Sequence, residues 1–384
     1  WTIPLCLRDA AGTRYCTMLR EPASSIELDK GVCPDWLMPN AGGAGYYRWS
    51  LPADQWAGLL AAFDELGDME ALSLVDSAIA AFETGELPPG VLLAVIQRSA
   101  RHSRREVVMA PLAALARYLE HYLDAGARAA LVERVGPSYA ATLARARASG
   151  EPGEQLLAAQ LQDFMSRSLR MPGPRADLAR RAAAFTGFEM PRDSGALSSD
   201  LYPAALAVAV QDLGVGFTRH LLGWRQTLDD PLFEGASAVA LGAATDPESV
   251  ALVQEKLLGD AFGSREAFDL LHEAMATAPV APLHWQWIAG HFPAVVDKVP
   301  AQWRRRLPML GDAFCDEDGA SAFEALFTEH ADLLPGYRRS YEQTRETIAL
   351  CRALAPQGNS LAAELTSNGA VVASGGARRT RSTP

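Results

Sequence analysis

The sequence has no excess of positive charge. Its 384 residues include 46 acidic and 35 basic side chains, which gives a formal net charge of -11 and a pI of about 5.2. A phosphate-binding surface needs clustered cations that release counterions, so this balance argues against a nucleic-acid partner. Proteins, peptides or small molecules are the expected partners.

The sequence also lacks a membrane segment and closely paired cysteines. No run approaches the roughly 18 consecutive apolar residues of a membrane span, and no charged-then-apolar signal segment opens the chain. The odd number of cysteines is spread widely, with no C-x-x-C pair, at Cys6, Cys16, Cys33, Cys315 and Cys351. Because such a set does not indicate a disulfide framework, we predict a soluble, cytoplasmic protein with no membrane partner.

The motifs of common catalytic sites are missing as well. There is no G-x-S-x-G elbow, no G-x-x-x-x-G-K-[ST] phosphate loop and no G-x-G-x-x-G fingerprint. His272-Glu273 begins like the helical zinc motif H-E-x-x-H, but position 276 is Ala276. One imidazole without a second one a turn later makes no chelate. We therefore predict no catalytic residue, no metal site and no cofactor in this chain.

The first 51 residues have the period-two pattern of short β-strands. Apolar residues alternate in three stretches, at Trp1, Ile3, Leu5 and Leu7, at Ile26 and Leu28, and at Tyr47, Trp49 and Leu51. Pro4 cannot donate to a strand ladder, so the first strand should lie at an edge or lose a hydrogen bond there. A few strands in about 50 residues make a poor independent sheet. We expect residues 1–51 to be part of a β-sandwich that upstream residues complete.

A helical period begins at Pro52, so the expected domain boundary lies there. Apolar residues recur at helical spacing, at Trp56, Leu59, Leu60, Phe63 and Leu66. Helical segments separated by turn formers then continue, and pairs of them recur at intervals of roughly 30 to 45 residues. The expected fold is mainly α: a HEAT/ARM-like α-solenoid over residues 52–365, preceded by the β-sandwich remnant. The polar residues 366–384 should form a disordered tail.

Some helix limits can be predicted individually. Asp246-Pro247-Glu248 supplies a capping side chain, a preset φ and an acid in the first turn, which favours a helix from there to about Leu258. Two separate helices are expected at 200–212 and at 217–228, and a break is expected between them.

A candidate contact site for peptides combines aromatic and basic residues. Trp285 and Trp287 lie in an amphipathic segment, and Trp303 precedes Arg304, Arg305 and Arg306. A guanidinium facing a cavity could hold the terminal carboxylate of a peptide through paired hydrogen bonds. Alternatively, the tryptophans are ordinary core residues and the arginines lie on a solvated face.

A signature near the end of the strand region resembles a known family. The run from Asn40 to Arg48 has an asparagine, four residues, a glycine, an aromatic residue, a tyrosine and an arginine. It is similar to the strand signature that closes the β-sandwich domain of aminopeptidase N and puromycin-sensitive aminopeptidase relatives. The opening Trp1-Thr2-Ile3-Pro4-Leu5 is similar to the strand that precedes the signature in this family. The sequence departs from the pattern at Trp49 and Leu51.

This resemblance implies a fold, a role and a set of structural residues. The chain would be the non-catalytic C-terminal part of a zinc metallo-aminopeptidase, capping the active site and controlling peptide access. Zinc would be bound by an upstream catalytic domain, since neither H-E-x-x-H nor G-[AG]-M-E-N occurs here. Its partners would be the N-terminal and catalytic domains of the same polypeptide and the peptide substrates. The structural residues would be Trp1, Pro4, Asn40, Gly45, Tyr46, Tyr47 and Arg48.

The alternative function is a free-standing helical-repeat scaffold that binds proteins along one face. This hypothesis does not explain why strands precede the helices. The two hypotheses differ in the upstream sequence, because only the first requires a catalytic domain there.

Overall fold

The computed structural model describes residues 2–28 and 33–374, and for residues 368–374 it describes the backbone alone. The described residues form 17 α-helices, one small sheet and several short 3₁₀ segments. The prediction of a mainly α fold with a small β-remnant is therefore confirmed. Trp1, one of the expected structural residues, lies outside the described residues.

The sheet is small and contains three antiparallel strands. They are β1 (Ile3–Asp9), β2 (Arg14–Leu19) and β3 (Leu37–Met38), in the order β2-β1-β3. β3 pairs with β1 only at Arg8 and Asp9, so Pro4 lies where β1 has a partner on one side only. This matches the expectation for a residue that cannot donate to a ladder.

Two of the expected strands do not form. The described residues 26–28 contain no strand, and neither do residues 46–51. Alternation of apolar and polar residues therefore gave the wrong assignment for Ile26 and Leu28 and for Tyr47, Trp49 and Leu51. The second stretch instead runs beside a helix, where alternate residues face the protein and the solvent without a partner strand.

The helices follow one another with short connections. Their bounds are α1 (Ala53–Ala61), α2 (Asp68–Glu83), α3 (Pro89–Ser99), α4 (Arg105–Met109), α5 (Leu112–His121), α6 (Ala125–Ala148), α7 (Pro152–Asp163), α8 (Pro172–Thr186), α9 (Tyr202–Trp224), α10 (Pro231–Gly242), α11 (Pro247–Leu257), α12 (Ser264–Ala276), α13 (Ala281–Gly290), α14 (Phe292–Lys298), α15 (Glu317–Glu329), α16 (Arg338–Ala353) and α17 (Ala355–Ser374). A π-helix, Phe164–Ser168, follows α7, and a 3₁₀ helix, Arg304–Gly311, precedes α15.

The individual helix predictions have mixed outcomes. α11 begins as predicted, with the Asp246 carboxylate accepting a hydrogen bond from the Ser249 N–H at 2.8 Å. The two helices expected at 200–212 and 217–228 are one element, α9, whose direction changes at Gly214 (φ 66°, ψ -154°). α10 was not predicted, because its alanine- and glycine-rich sequence has a weak apolar period.

The chain divides into two compact units. The first runs to Ala158 and resumes at Pro356, and the second is Ala159–Ala355. In the first unit, α2 packs on α3 and α3 on α6, whereas in the second α8 packs on α9, α9 on α10 and α10 on α12. Within each unit, helices close in sequence are neighbours in space, as expected for a solenoid-like repeat. The sheet belongs to the same unit as the first helices.

The C-terminal helix differs from the expected disordered tail. α17 extends to Ser374, so residues 366–374 are helical where disorder was expected. Residues 375–384 lie outside the described part of the chain. α17 belongs to the first unit from Pro356 onward, and Gly358 is so close to Tyr122 that a Cβ there would lie 2.3 Å from the tyrosine ring.

Four of the cysteines form disulfides. Cys6 and Cys16 are bonded across the β1–β2 hairpin, and Cys315 is bonded to Cys351 on α16. Cys33 is free and exposed. Disulfides form and persist mainly in oxidising compartments. The cytoplasmic location thus stays a prediction, and the two disulfides weigh against it.

One helical stretch in the described part of the chain, Ser199–Thr227, is long and apolar enough to cross a membrane. It contains α9, and 61% of its most apolar window is buried inside the protein. A core helix has the same properties, and α9 contributes buried residues along most of its length.

Candidate functional site

The signature loop is fixed to α2 by one buried asparagine. Asn40 accepts a hydrogen bond from the Gly45 N–H at 2.8 Å through Oδ1, and its Nδ2 donates to the Gly45 carbonyl at 3.0 Å. Nδ2 also contacts the Ser73 hydroxyl on α2 at 3.1 Å. A buried amide with both ends satisfied specifies one loop conformation. Asn40 therefore holds the loop closed and against the helix.

The remaining signature residues contact the same region. The Tyr47 hydroxyl donates to the Pro39 carbonyl at 2.9 Å, and burial raises the pKa of Tyr47. A Cβ on Gly45 would lie 2.0 Å from the Tyr47 ring, so the loop requires glycine there. Arg48 pairs with Asp76 of α2 on the surface, whereas Tyr46 is fully exposed. These residues lie in an irregular segment, so the strand expected at Tyr47 does not form.

A second contact between the sheet and α2 was not foreseen from the sequence. Arg8 of β1 forms a two-pronged ion pair with Glu70, with distances of 2.9 Å and 2.5 Å. Glu70 also accepts from the N–H groups of Gly42 and Gly67, at 2.8 Å and 3.1 Å. Burial alone would raise the pKa of Glu70, but the hydrogen bonds from Arg8, Gly42 and Gly67 lower it on balance. The one local signal for this contact was Glu70 itself, which lies three residues after Gly67 and so could cap the start of α2.

The two tryptophans of the candidate peptide site have different surroundings. Trp285 is buried and packs edge to face on Phe314, with ring centroids 4.8 Å apart. Trp287 is half-buried and stacks on His291 at 4.7 Å. Trp285 is thus a core residue of the second unit. Among the described residues, no ring contact or hydrogen bond joins either tryptophan to Arg304, Arg305 or Arg306.

The three arginines lie at the start of the 3₁₀ helix Arg304–Gly311. Arg304 is half-buried and faces Asp297 at 3.6 Å. Arg305 and Arg306 are exposed, and the guanidinium of Arg306 lies 5.5 Å from the centre of the Trp303 ring. Arg265 of α12 lies over the same ring, also at 5.5 Å. The structure therefore places only Arg306 of the three against the Trp303 ring and leaves Arg305 and Arg306 exposed to solvent.

The partial zinc motif on α12 is used for packing and ion pairing. His272 stacks on Phe268, and Glu273 forms an ion pair with Arg167. A zinc ion needs several convergent ligands, and this helix face offers one imidazole beside a carboxylate that already has a cation. The residues of α12 therefore do not fit a zinc site of the H-E-x-x-H kind.

A cavity of about 690 Å³ lies along α8 in the second unit. Its walls are mostly apolar, with charged groups among them. The lining residues are Arg170, Pro172, Arg175, Ala176, Ala179, Arg180, Ala183, Phe188, Glu189, Met190, Asp212 and Leu213. No motif in the sequence indicated this cavity, because its residues come from separate segments that only folding brings together.

Arg175 is the buried polar centre of the cavity wall. It donates from Nε to Asp212 at 3.0 Å, from Nη1 to the Ser166 carbonyl at 2.9 Å and from Nη2 to Gln211 at 3.0 Å. Nη2 also pairs with the second oxygen of Asp212. A guanidinium with this many partners is fixed in place. Arg175 thus connects the π-helix, α8 and α9.

A comparison with protein families identifies most of the chain. The model of the family described as the ERAP1-like C-terminal domain matches residues 36–350. A search of curated proteins finds no match. The matched region begins just before the signature loop at Asn40 and ends within α16. Since it covers well over half of the residues, the chain belongs to the family of ERAP1-like C-terminal domains.

Proposed function

We propose that this chain is the non-catalytic C-terminal domain of a zinc-dependent aminopeptidase, and that it covers the active site and controls which peptides reach it. The family match over residues 36–350 carries this proposal. It supports a C-terminal domain of an aminopeptidase, whereas the zinc, the capping role and the peptide substrates belong to the proposal.

The local structure agrees with a domain that contributes no chemistry of its own. Neither H-E-x-x-H nor G-[AG]-M-E-N occurs in the sequence. Glu273, the acid of the partial motif, is paired with Arg167. Stacked helices provide extended surfaces for binding, and a covering domain that opens and closes can set substrate access.

Hydrolysis by the chain alone is the first test. The purified chain is incubated with zinc and aminoacyl reporter substrates, and no turnover above background is expected. Metal-dependent turnover that persists after chelator-controlled purification would overturn the non-catalytic role. The second test is the upstream genomic sequence, where we expect H-E-x-x-H followed by a downstream glutamate.

Peptide access can be tested at the exposed arginines. In the complete enzyme, Arg305→Glu combined with Arg306→Glu should raise the KM for long acidic peptides several-fold and leave the KM for small aminoacyl reporters unchanged, because only a long substrate reaches this surface. Arg339→Glu, an exposed position on α16, is the control. Equal KM values in both variants for every substrate length would refute a role of these arginines in access.

The alternative, a free-standing interaction scaffold, makes a contrary prediction about the gene. It requires an initiation site near the start of this sequence and no catalytic domain encoded upstream. An uninterrupted reading frame through H-E-x-x-H into this sequence would exclude it.

A further inference from the structure

The two disulfides of the chain differ in their exposure to solvent. In the sheet, Cys16 is exposed and its partner Cys6 is half-buried. In the other pair, Cys351 is 6% exposed and Cys315 is half-buried. Exposed disulfides are typically the labile ones, whereas disulfides that resist reduction are typically structural. The Cys6–Cys16 bond is therefore the one that a dissolved thiol reaches first.

The alternation of side chains places this disulfide away from the apolar face of the hairpin. One face of β1 and β2 carries mainly apolar side chains. They belong to Ile3, Leu5, Leu7, Tyr15, Thr17 and Leu19. Cys6 and Cys16 lie directly opposite each other in the register and belong to the other face, because successive residues of a strand point to opposite sides. A domain or partner that covers the apolar face would thus leave the two sulfurs accessible.

Positive charge lies beside the sulfurs. Arg14 lies two residues before Cys16 on β2, and residues two apart on a strand share a face at a spacing of roughly 7 Å. Arg8, opposite Arg14 in the register, is neutralised by Glu70. Arg14 itself is exposed and has no ion pair with any of the described residues. Because a neighbouring cation stabilises a thiolate, Arg14 favours the sulfur anions that form when the disulfide breaks.

Backbone pairing holds the hairpin together independently of the disulfide. Six residue pairs form the β1–β2 ladder. At the turn, the Asp9 N–H donates to the Thr13 carbonyl at 3.1 Å, and the Asp9 carboxylate accepts from the Thr13 N–H at 2.8 Å. Breaking the sulfur bond therefore leaves two thiols that face each other across paired strands, where oxidation can join them again.

We propose that Cys6–Cys16 is a reversible site of thiol–disulfide exchange, and that thiols of low molecular mass attack it at Cys16. The incoming thiolate forms a bond with Cys16 Sγ, the bond between the two cysteines breaks, and Cys6 Sγ leaves as a thiolate that takes up a proton. A second thiolate then attacks the incoming sulfur, and Cys16 Sγ leaves and is protonated in turn. The protein disulfide thus gains two electrons and two protons, and two thiols become one disulfide.

This proposal does not depend on the proposed aminopeptidase role, because exchange is measured at the sulfurs of this chain.

Graded reduction of the folded chain tests the proposal. The chain is treated with dithiothreitol without denaturant, free thiols are blocked with N-ethylmaleimide at set times, and peptide mass spectrometry assigns each cysteine. Cys6 and Cys16 should become labelled about tenfold faster than Cys315 and Cys351, while the circular dichroism of the chain stays unchanged. Equal or slower labelling of Cys6 and Cys16 would overturn the proposal. Labelling of these two cysteines before any thiol is added would overturn it as well.

Reduced glutathione identifies the attacked sulfur. With this monothiol in place of dithiothreitol and the same blocking step, glutathione should be found on Cys16 and N-ethylmaleimide on Cys6, because the exposed sulfur is attacked and the other one leaves. Glutathione on Cys6 in an equal or larger amount would overturn this assignment.

Arg14→Glu tests the charge beside the sulfurs. The reversed charge should slow the reduction of Cys6–Cys16 about threefold or more, because it disfavours the thiolates. Arg20→Glu is the matched control, since Arg20 is also exposed and lies just beyond the end of β2, farther from Cys16 along the chain. Its rate should stay within about twofold of the unchanged protein, because charge effects between exposed groups weaken with distance. Equal slowing in both variants would refute the role of Arg14.

Discussion

Glu70 is buried on α2 and joins three parts of the first unit through its carboxylate. It contacts the strand residue Arg8 and the backbone of Gly42 and Gly67. Arg8 is also mostly buried and lies over the Trp36 ring at 4.9 Å. Removing one member of such a pair leaves an uncompensated charge in a poorly solvated place. The pair therefore determines how the sheet is attached to the helix.

Glu70→Gln is expected to lower the free energy of unfolding by about 3 kcal/mol, because Arg8 then lacks a counter-charge. Urea unfolding followed by circular dichroism measures this loss. Because hydrogen bonds lower the pKa of Glu70 in the folded protein, its stabilising effect is present above the unfolded pKa and is lost on acidification. The control is Asp76→Asn in the exposed Arg48–Asp76 pair, which should cost less than about 1 kcal/mol. Equal losses in both variants would contradict the assigned role of Glu70.

His284 is a buried imidazole in the second unit. It is 1% exposed, and its Nδ1 lies 3.4 Å from the Gln254 amide nitrogen, while its Nε2 has no partner among the described residues. Burial lowers the pKa of His284 from 6.5 to about 4. The side chain is therefore neutral in the folded protein near pH 6, where an unfolded chain would partly protonate it.

The stability of the second unit should consequently fall as the pH decreases from 6.5 to 4. The unfolded state binds the proton first in this window, so the free energy of unfolding drops by about 3 kcal/mol from this group alone. In His284→Gln the decrease over the same window should be smaller by that amount. Denaturant titrations at a series of pH values measure it, and parallel profiles for the two proteins would disprove the explanation.

At the scale of single elements, α9 shows how one glycine can redirect a helix. Gly214 has φ 66° and ψ -154°, which only glycine adopts readily, and the helix continues on both sides of it. A Cβ built on Gly214 meets no atom within 4 Å. The constraint at this position therefore lies in the backbone and not in packing.

Gly214→Ala should destabilise the protein by about 2 kcal/mol, because alanine is strained at this φ and ψ. The matched control is Gly223→Ala in the same helix, where a Cβ also meets no atom within 4 Å. Alanine at this regular helical position should instead stabilise by up to about 1 kcal/mol. Thermal unfolding compares the two, and a shift of the same sign in both would rule out the backbone explanation.

At the scale of the whole molecule, the cysteines connect the structure to its compartment. The Cys315–Cys351 disulfide closes a loop with a sequence separation of 36 and ties the segment that precedes α15 to α16. In the chain-entropy account, closing a loop of this length limits the unfolded state substantially. Formation of this disulfide is therefore expected to raise the free energy of unfolding.

The double variant Cys315→Ala with Cys351→Ala should lose about 4 kcal/mol of stability under oxidising conditions. Cys33→Ala, at the free and exposed cysteine, should be neutral. Maleimide labelling of the unfolded, unreduced protein should detect one thiol. Detection of all five cysteines as thiols in protein isolated from its native cells would favour the cytoplasmic prediction instead.

The sequence allowed the mainly α class and several helix limits to be predicted, because helical period and caps are local signals. Asp246, for example, marked the start of α11. Non-local features escaped prediction. The Arg8–Glu70 pair joins residues 62 positions apart, and the cavity combines residues from Arg170 to Leu213. The alternation at Tyr47 and Trp49 was interpreted as a strand. The segment in fact runs extended beside α2, and this also makes alternate side chains face the protein and the solvent.

The return of α17 to the first unit has a consequence for synthesis. The first unit includes residues up to Ala158 and again from Pro356, and Leu361 and Leu365 of α17 are buried. The second unit is thus inserted, in the chain, within the first one. The ribosome must synthesise the whole second unit before the first unit acquires its last helix, so the inserted unit can fold earlier than the unit that flanks it.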